Sequence, residues 1–234
     1  MAEAFICDAV RTPIGRYGGG LAKVRTDDLA AVPIKALMAR NAKADWSKID
    51  DVYYGCANQA GEDNRNVARM AGLLAGLPLS VPAKTLNRLC GSGMDAIGAA
   101  ARAVKAGESE LVIAGGVESM SRPAPMHVDG FTANNNHLRD QYDMVPQGIS
   151  ADLIATVEGF TREQCDALAV ESQRRAAEAI AEGRFEKSLV PIFHDDGSLA
   201  LAKDEHPRAG TTLADLAKLT PSFEGMGAYK KDPD

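Results

Sequence analysis

The residue best placed to do chemistry is Cys90, in the segment LNRLCGSGMDAI between an apolar run and a helical pattern. A thiol at a helix start lies near the unpaired N–H groups of the first turn and the positive dipole end, which both favour the thiolate. The N–H of Cys90 could also be one donor of an oxyanion hole. Gly91 and Gly93 are each unfavourable in a helix by about 1 kcal/mol relative to Ala. They indicate that backbone or a ligand comes close, and the segment predicts a nucleophilic cysteine.

The alternative for Cys90 is a small buried hydrophobic side chain, which is the usual state of a free cysteine. The strand–cysteine–helix pattern alone leaves both interpretations open. Cys7, Cys56 and Cys165 lie inside apolar patterns, so we interpret them as buried structural residues. No CxxC and no Cys/His pair has the spacing of zinc ligands, and no metal site is expected.

The elements that would position Cys90 alternate between strands and helices, which argues for an α/β sheet built from crossover units. Apolar runs predict strands at 4–10, 50–58, 83–89 and 110–116. Helical spacing predicts helices at 26–40 with Thr26 as N-cap, at 64–76, and at 90–107 with Gly107 as C-terminal cap. In the last of these helices, one face carries Met94, Ile97, Ala101 and Val104.

From Ser121 the amino-acid composition changes. Residues 121–148 are rich in Pro, Asn, Gly and Met, which predicts a long loop or an irregular subdomain. Regular structure returns at 150–160. A long helix follows, with a capping box of Thr161 and Gln164 and with Gly183 at its end. A hairpin is predicted over 189–203, and a short helix capped by Thr212 comes last.

Composition indicates an ordinary globular protein, with 45% hydrophobic and 25% charged residues in a chain of 234. The formal net charge of −6 argues against broad nucleic-acid binding but leaves room for an anionic small ligand. The scattered cysteines suit reduced thiols. The N-terminus lacks a signal-peptide pattern, and no apolar run approaches the roughly 20 residues of a membrane span. We expect a cytoplasmic protein with no membrane partner.

The segment LNRLCGSGMDAI resembles the acyl-enzyme signature of the thiolase family. RTPIGRYGGGL, GCANQAGEDNRNVARMAGLLAGLP and AGGVESMSR resemble further thiolase motifs in family order, and GFTREQCDALAVESQRRAAEAIAEGRFEKSLVPI, DEHPR and TTLADLAKLTPSF resemble its loop domain. The resemblance implies a layered α/β fold, with one βαβαβαβ half that has a mixed sheet and helices on both faces. It places an N-terminal domain at 1–120. An irregular α+β loop domain for CoA and substrate binding would follow at 121–234.

In thiolases the cysteine takes an acyl group from a 3-ketoacyl-CoA, releases acetyl-CoA and passes the acyl group to CoA; some members run the reverse Claisen condensation. The resemblance therefore implies that Cys90 forms an acyl-enzyme, which splits one difficult step into two easier ones. It implies CoA and acyl-CoA as substrates, no metal or organic cofactor, and a degradative setting such as β-oxidation of fatty acids. Family members are oligomers, so we expect a homodimer or homotetramer.

The resemblance also implies CoA contacts in the second half of the chain. Arg208 in DEHPR matches a position near the CoA adenine and phosphates, where a guanidinium can fork onto phosphate. Its alternative is a solvated surface charge. Ser222 and Phe223 match residues that line the pantetheine channel. Pro146 stands where many relatives have a His beside the pantetheine, so that contact is not carried over.

Other thiolase groups belong to a C-terminal domain, and this sequence has no GHP motif, no second Cys in a CxGGG context and no NEAF segment. Its four histidines stand in loop-like contexts and are interpreted as solvated or structural: His127, His137, His194 and His206. We therefore expect an incomplete thiolase. A cysteine without its base loses most of its activation.

Alternative functions differ in what Cys90 does. The chain could be a non-catalytic CoA-binding or assembly fragment that needs a partner chain. A ketosynthase-type condensing enzyme on the same fold is disfavoured, because RLCGSGMDA and the loop region resemble thiolase. For the substrate, NQAGEDNRNVARM and LNRLCGSGMDAI resemble 3-oxoadipyl-CoA thiolases, whereas DMVPQGISADLIATVEGF resembles thiolases of lipid or steroid ring degradation. The expectation is therefore only a 3-ketoacyl-CoA.

Overall fold

The structure is a computed structural model that describes residues 3–122, 135–142 and 145–224. The chain falls into two compact units, one formed by Met1–Met126 with Phe185–His206 and the other by His127–Arg184 with Pro207–Asp234. The sequence placed the whole of 121–234 in one domain, whereas residues 185–206 belong to the first unit. The reason is that the Arg11 N–H donates to the Ser188 carbonyl at 2.8 Å and Ile192 is buried in a cluster of the first unit.

The first unit contains a parallel sheet of three strands in the order β2–β1–β3. The strands are β1 (Asp51–Gly55), β2 (Ala83–Leu86) and β3 (Val112–Gly116). Parallel neighbours need crossover connections, which α2 (Val67–Ala75) and α3 (Ser92–Ala106) supply. Gly55 pairs with Leu86 on one side and Gly116 on the other, so the three carboxyl ends share one edge. The expected mixed sheet is wrong for the described strands of this sheet, which are all parallel.

The predicted strand at 4–10 is also wrong, since residues 3–10 hold no strand and only an isolated bridge follows between Arg11 and Leu189. Phe5 and Ile6 are 76% and 81% exposed. An apolar run becomes a strand only where a neighbouring strand pairs with it, and the described residues offer no such partner to this segment beyond the one bridge.

Helices cover both faces of the sheet, as the resemblance implied. In a strand, successive side chains point to opposite faces, so Val52 and Tyr54 face one layer and Tyr53 the other. The first layer is α1 (Thr26–Arg40) with α2, and the second is α3. The buried side chains of the first layer include Ile34, Val67, Ala68 and Ala71, and those of α3 are Ala96, Ala100 and Ala103.

Two details of the helices differ from the predictions. Thr26 is not the N-cap of α1, since Arg25 holds that position without a side-chain cap bond; instead the buried Thr26 donates its N–H to Glu62. On α3, Met94 and Ile97 are 77% and 46% exposed, because the face turned to the sheet is the alanine face. Gly107 ends α3 in the left-handed conformation, as predicted.

The remaining elements follow the sequence patterns closely. The predicted hairpin is present as β4 (Ile192–Phe193) paired antiparallel with β5 (Leu199–Leu201) in the first unit. The hairpin supplies the strands of the α+β region expected over 121–234, and the helices of the described part of the second unit are α4 (Asn136–Gln141), α5 (Gln147–Glu158), α6 (Arg162–Ala181) and α7 (Leu213–Leu216). The capping box of Thr161 and Gln164 and the Thr212 cap are confirmed. None of the helices in the described ranges combines the length and the apolarity that crossing a bilayer requires.

Candidate active site

Cys90 lies in the turn that joins β2 to α3, at the carboxyl edge of the sheet. Its side chain is exposed, so the alternative of a buried hydrophobic cysteine is wrong. Gly91 is the N-cap and Ser92 the first residue of α3, so Cys90 stands just before the helix and does not open it as predicted. A thiol in this place is accessible to a ligand and lies beside the first helical turn.

The backbone around Cys90 is fixed by side chains on both sides. Leu89 has a φ of +48°, a left-handed conformation that costs a non-glycine residue about 1–2 kcal/mol. Asn87 accepts the Leu89 N–H through Oδ1 at 2.9 Å and donates through Nδ2 to the Ala57 carbonyl at 3.0 Å. The Ser92 hydroxyl accepts the Arg88 N–H at 2.8 Å and donates to the Leu89 carbonyl at 2.6 Å. The turn is therefore held from its own chain and from the loop after β1.

The start of α3 offers unpaired donors next to this thiol. Within the described ranges, the N–H groups of Cys90, Gly93 and Met94 donate to no protein acceptor. Such N–H groups at a helix start carry partial positive charge and can stabilise an oxyanion or a thiolate. The arrangement suits the predicted oxyanion role of the Cys90 N–H.

A close approach of protein backbone, one of the two possibilities that the sequence indicated at Gly91 and Gly93, occurs at other glycines. A Cβ built on Gly55 would lie 2.2 Å from the Ser92 carbonyl carbon, and one on Gly116 would lie 2.7 Å from the Gly55 oxygen. A Cβ on Gly91 or Gly93 would meet its nearest protein atom only at 3.4 or 3.9 Å. Gly55 thus lets α3 begin directly on the strand edge, and Gly116 lets β3 lie close to β1.

Beside this turn, the loops after β1 and β3 are tied together. The Glu118 carboxylate accepts the N–H groups of Ala57 at 2.8 Å and Asn58 at 3.2 Å.

Cys56 donates its thiol to Asp63 at 3.6 Å, and burial raises the pKa of Cys56 to about 12. Cys56 is therefore buried, as predicted, and its thiol is protonated. Cys56, Asp63 and Glu118 lie close enough to hold a metal ion, but each already has a protein hydrogen-bond partner.

The prediction that Cys7 and Cys165 are buried is wrong, because both are exposed. Cys7 belongs to the 3–10 segment that forms no strand. Cys165 lies in the first turns of α6, a helix whose buried set is Ala179 alone. Exposure by itself therefore does not single out Cys90 among the thiols; its turn and its unpaired N–H groups do.

The three predicted CoA contacts all lie in the second unit, whereas Cys90 lies in the first. Arg208 is exposed, and its backbone N–H donates to Gln173 at 2.6 Å. Ser222 is exposed, and the Phe223 ring lies so close to Gly148 that a Cβ there would meet it at 2.0 Å. Phe223 therefore packs against the start of α5, while the CoA roles stay predictions.

None of the histidines in the described residues bonds to the Cys90 turn. His137 lies exposed on α4, His206 is exposed, and the His194 N–H donates to the Ser198 carbonyl in the hairpin. His127 is outside the described residues. Within the described ranges, no hydrogen bond or ion pair involves the Cys90 side chain, so no base contacts it there.

Comparison with known proteins finds one protein family along nearly the whole chain. The family described as "Thiolase, N-terminal domain" matches residues 4–230. The "Beta-ketoadipyl-CoA thiolase" of Acinetobacter baylyi is 52% identical over 94% of this chain and 59% of its own length. The "3-oxoadipyl-CoA/3-oxo-5,6-dehydrosuberyl-CoA thiolase" of Escherichia coli is 48% identical over 97% of this chain and 61% of its own. A "3-ketoacyl-CoA thiolase" of Shewanella frigidimarina is 44% identical, over 96% and 59% respectively.

The chain thus spans about 60% of the length of these relatives. Its Cys90 turn, its parallel sheet and the match over residues 4–230 agree with one another. The chain belongs to the thiolase family.

Proposed function

We propose that Cys90 is the nucleophile of an acyltransferase that cleaves a 3-ketoacyl-CoA. The observation that carries the proposal is an exposed thiol one residue before the N-cap of α3, beside N–H groups without a protein acceptor in the described ranges. A nucleophilic cysteine needs access and a positive local field, and this turn offers both.

In the proposed reaction the Cys90 sulfur attacks the 3-keto carbon of the acyl-CoA. The bond between C2 and C3 breaks, its electron pair leaves with the acetyl-CoA fragment as an enolate, and that carbon then takes up a proton. The acyl group remains on Cys90 as a thioester until the thiol of CoA attacks it and regenerates the cysteine. N–H donors at the carbonyl oxygen would stabilise the charge that develops at each addition.

For the substrate, we propose 3-oxoadipyl-CoA as the first member of the 3-ketoacyl-CoA class to test. The relatives with 48% and 52% identity carry this compound, or its synonym β-ketoadipyl-CoA, in their names. The proposal places CoA on Arg208, Ser222 and Phe223, of which Arg208 and Ser222 are exposed. It includes a homodimer or homotetramer, because large apolar side chains such as Met94 and Ile6 are exposed in the first unit.

The test is to look for an acyl thioester on the purified chain. Incubation with 3-oxoadipyl-CoA or acetyl-CoA, followed by peptide mass spectrometry, should show an acyl group on Cys90 that hydroxylamine removes. The variant Cys165→Ser should be acylated like the wild type, since it loses another exposed thiol. Cys90→Ser should show no thioester. Acylation spread equally over Cys7, Cys90 and Cys165, or no acylation of Cys90, would contradict the proposal.

Turnover gives a second measurement. Since no base contacts Cys90 in the described ranges, we expect thiolysis by the 234-residue chain to be slow even where the acyl-enzyme forms. Loss of 3-oxoadipyl-CoA in the presence of CoA measures it. Rapid alkylation of Cys90 by iodoacetamide that acyl-CoA prevents supports the enzyme, while an inert thiol favours a CoA-binding or assembly fragment.

A further inference from the structure

The turn that carries Cys90 depends on two side chains that the thiolase resemblance did not assign. Asn87 stands three residues before Cys90, and Ser92 two residues after it. Together they make four hydrogen bonds, described above, to backbone groups of the turn and of the neighbouring loop. Each side chain uses both a donor and an acceptor atom.

Ser92 fixes the turn from within. It is only 4% exposed although it is polar, and its hydroxyl bridges the Arg88 N–H and the Leu89 carbonyl. The Ser92 N–H donates to the same Leu89 carbonyl at 3.0 Å. Because Leu89 has a positive φ, this carbonyl would turn elsewhere if the bonds were lost. Leu89 directly precedes Cys90, so the direction of the Cys90 N–H depends on the same bonds.

Asn87 fixes the turn from outside. Through the Ala57 carbonyl it joins the Cys90 turn to the loop after β1, and the Ala57 N–H is held by Glu118 from the loop after β3. The loops that follow all three strands are thereby linked by one continuous set of hydrogen bonds. The Asn87 side chain itself is exposed, so the core does not depend on it.

We propose that Asn87 and Ser92 are positioning residues for Cys90, which hold its thiol and its N–H in the arrangement that acyl transfer needs. This inference rests on the proposed function, since positioning matters only where Cys90 reacts with a thioester. Acyl transfer requires the thiol and the oxyanion donors at once, whereas alkylation by a small reagent requires only an accessible thiol. The two reactions therefore separate positioning from simple exposure.

The experiment compares the full chain with Ser92→Ala, Ser92→Thr and Asn87→Ala. Peptide mass spectrometry gives the initial rate of acetyl transfer from acetyl-CoA to Cys90 and the rate of Cys90 alkylation by iodoacetamide. The matched control is Asn41→Ala, which removes an equivalent side chain from the C-cap of α1, where it bonds to Asp8. Circular dichroism confirms that each variant is folded.

We expect Ser92→Ala and Asn87→Ala to lower acetyl transfer by roughly 100-fold, the order that a displacement of about 1 Å produces. Alkylation should change by less than roughly threefold, as for an ordinary surface substitution. Ser92→Thr keeps the hydroxyl and should recover most of the loss, and Asn41→Ala should change neither rate. If Ser92→Ala does not fold, the comparison of Asn87→Ala with the wild type still tests the proposal, because the Asn87 side chain is exposed.

Three results would overturn the proposal, and the third can be distinguished from the first two. Acetyl transfer at the wild-type rate in Asn87→Ala and Ser92→Ala, or a loss that alkylation shares in equal measure, would show that these side chains do not position the thiol. No acetyl transfer to Cys90 in the wild type would instead overturn the proposed function, and this inference with it.

Discussion

Replacing Gly55 with Ala should damage both the fold and the proposed site, because Gly55 is where the sheet edge meets the start of α3. A Cβ at this position would lie 2.2 Å from the Ser92 carbonyl carbon and 2.4 Å from the Gly93 nitrogen. Both are backbone atoms of a helix whose buried face already packs on the sheet. Neither partner can move aside as a flexible side chain would.

The size of the effect follows from these distances. The start of α3 must retreat by roughly 1.2 Å or more, from 2.2 Å to at least 3.4 Å, before ordinary van der Waals contact returns. Overpacking of this kind costs about 1–3 kcal/mol of stability. The retreat also moves Ser92, and with it the turn that carries Cys90, so acetyl transfer should fall by roughly 100-fold in the folded variant.

Gly72→Ala is the matched control, since the same substitution should have the opposite effect on the free energy of unfolding there. In α2 a new Cβ at Gly72 would lie 3.6 Å from a Leu77 methyl and 4.0 Å from a Val52 methyl, which is ordinary contact. Alanine in place of an interior helix glycine should stabilise by about 0.5–1 kcal/mol.

Urea unfolding followed by Trp46 fluorescence gives the free energies. Trp46 is the single tryptophan and packs against the core between the sheet and its first helix layer. A Gly55→Ala protein within about 0.5 kcal/mol of the wild type would refute the reasoning, since that is the scatter of a neutral surface substitution. So would a greater loss in Gly72→Ala than in Gly55→Ala.

Two further outcomes are expected. Cys56 should resist iodoacetamide at pH 8 until urea unfolds the chain, because burial raises its pKa to about 12; peptide mass spectrometry that finds Cys56 labelled as fast as the exposed Cys165 in the folded protein would contradict its burial. Asp204→Asn should cost about 2 kcal/mol near pH 7, because it breaks the charged bonds from Arg11 at 2.7 and 2.9 Å. Arg11 holds the pKa of Asp204 below its usual 3.8, so this stabilisation is present above about pH 4 and is lost as the pH falls through the folded value. In urea titrations the stabilities of wild type and variant should therefore approach each other as the pH falls below about 4, and a constant gap would argue against the pair.

Much of the first unit could be predicted from the sequence, because hydrophobic periodicity and the residues that end helices act over short stretches of the chain. The runs at 50–58, 83–89 and 110–116 each contain a strand, and Gly107 ends α3 as a left-handed cap. In the second unit, the capping box at Thr161 could be predicted because it needs only residues three apart. These features depend on residues that are close together in the sequence, so the sequence alone predicts them.

What failed depends on partners that are distant in sequence. The run at 4–10 is apolar enough for a strand, but pairing requires a second strand, and the sequence pattern carries no information on that. Met94 and Ile97 are large apolar residues of α3, yet both are exposed, and the residues that face the sheet are the alanines. The close packing at Gly55 could not be predicted for the same reason, because its contact with Ser92 joins residues 37 positions apart in the chain.

Cys90 and the N–H groups of the adjacent helix start could be recognised from residue type and signature, whereas the contacts that fix their arrangement could not. These are the contact of Gly55 with the start of α3 and the hydrogen bonds of Asn87 and Ser92, and they lie at the common edge of three parallel strands. Backbone groups of this kind bind a developing oxyanion in the same way whatever acyl chain is attached to it. The Escherichia coli relative carries two different 3-ketoacyl-CoA substrates in its name. Under the proposed function, we therefore expect discrimination among acyl chains to depend on side chains away from this edge. Substitutions at the edge should then lower acyl transfer alike for every substrate tested.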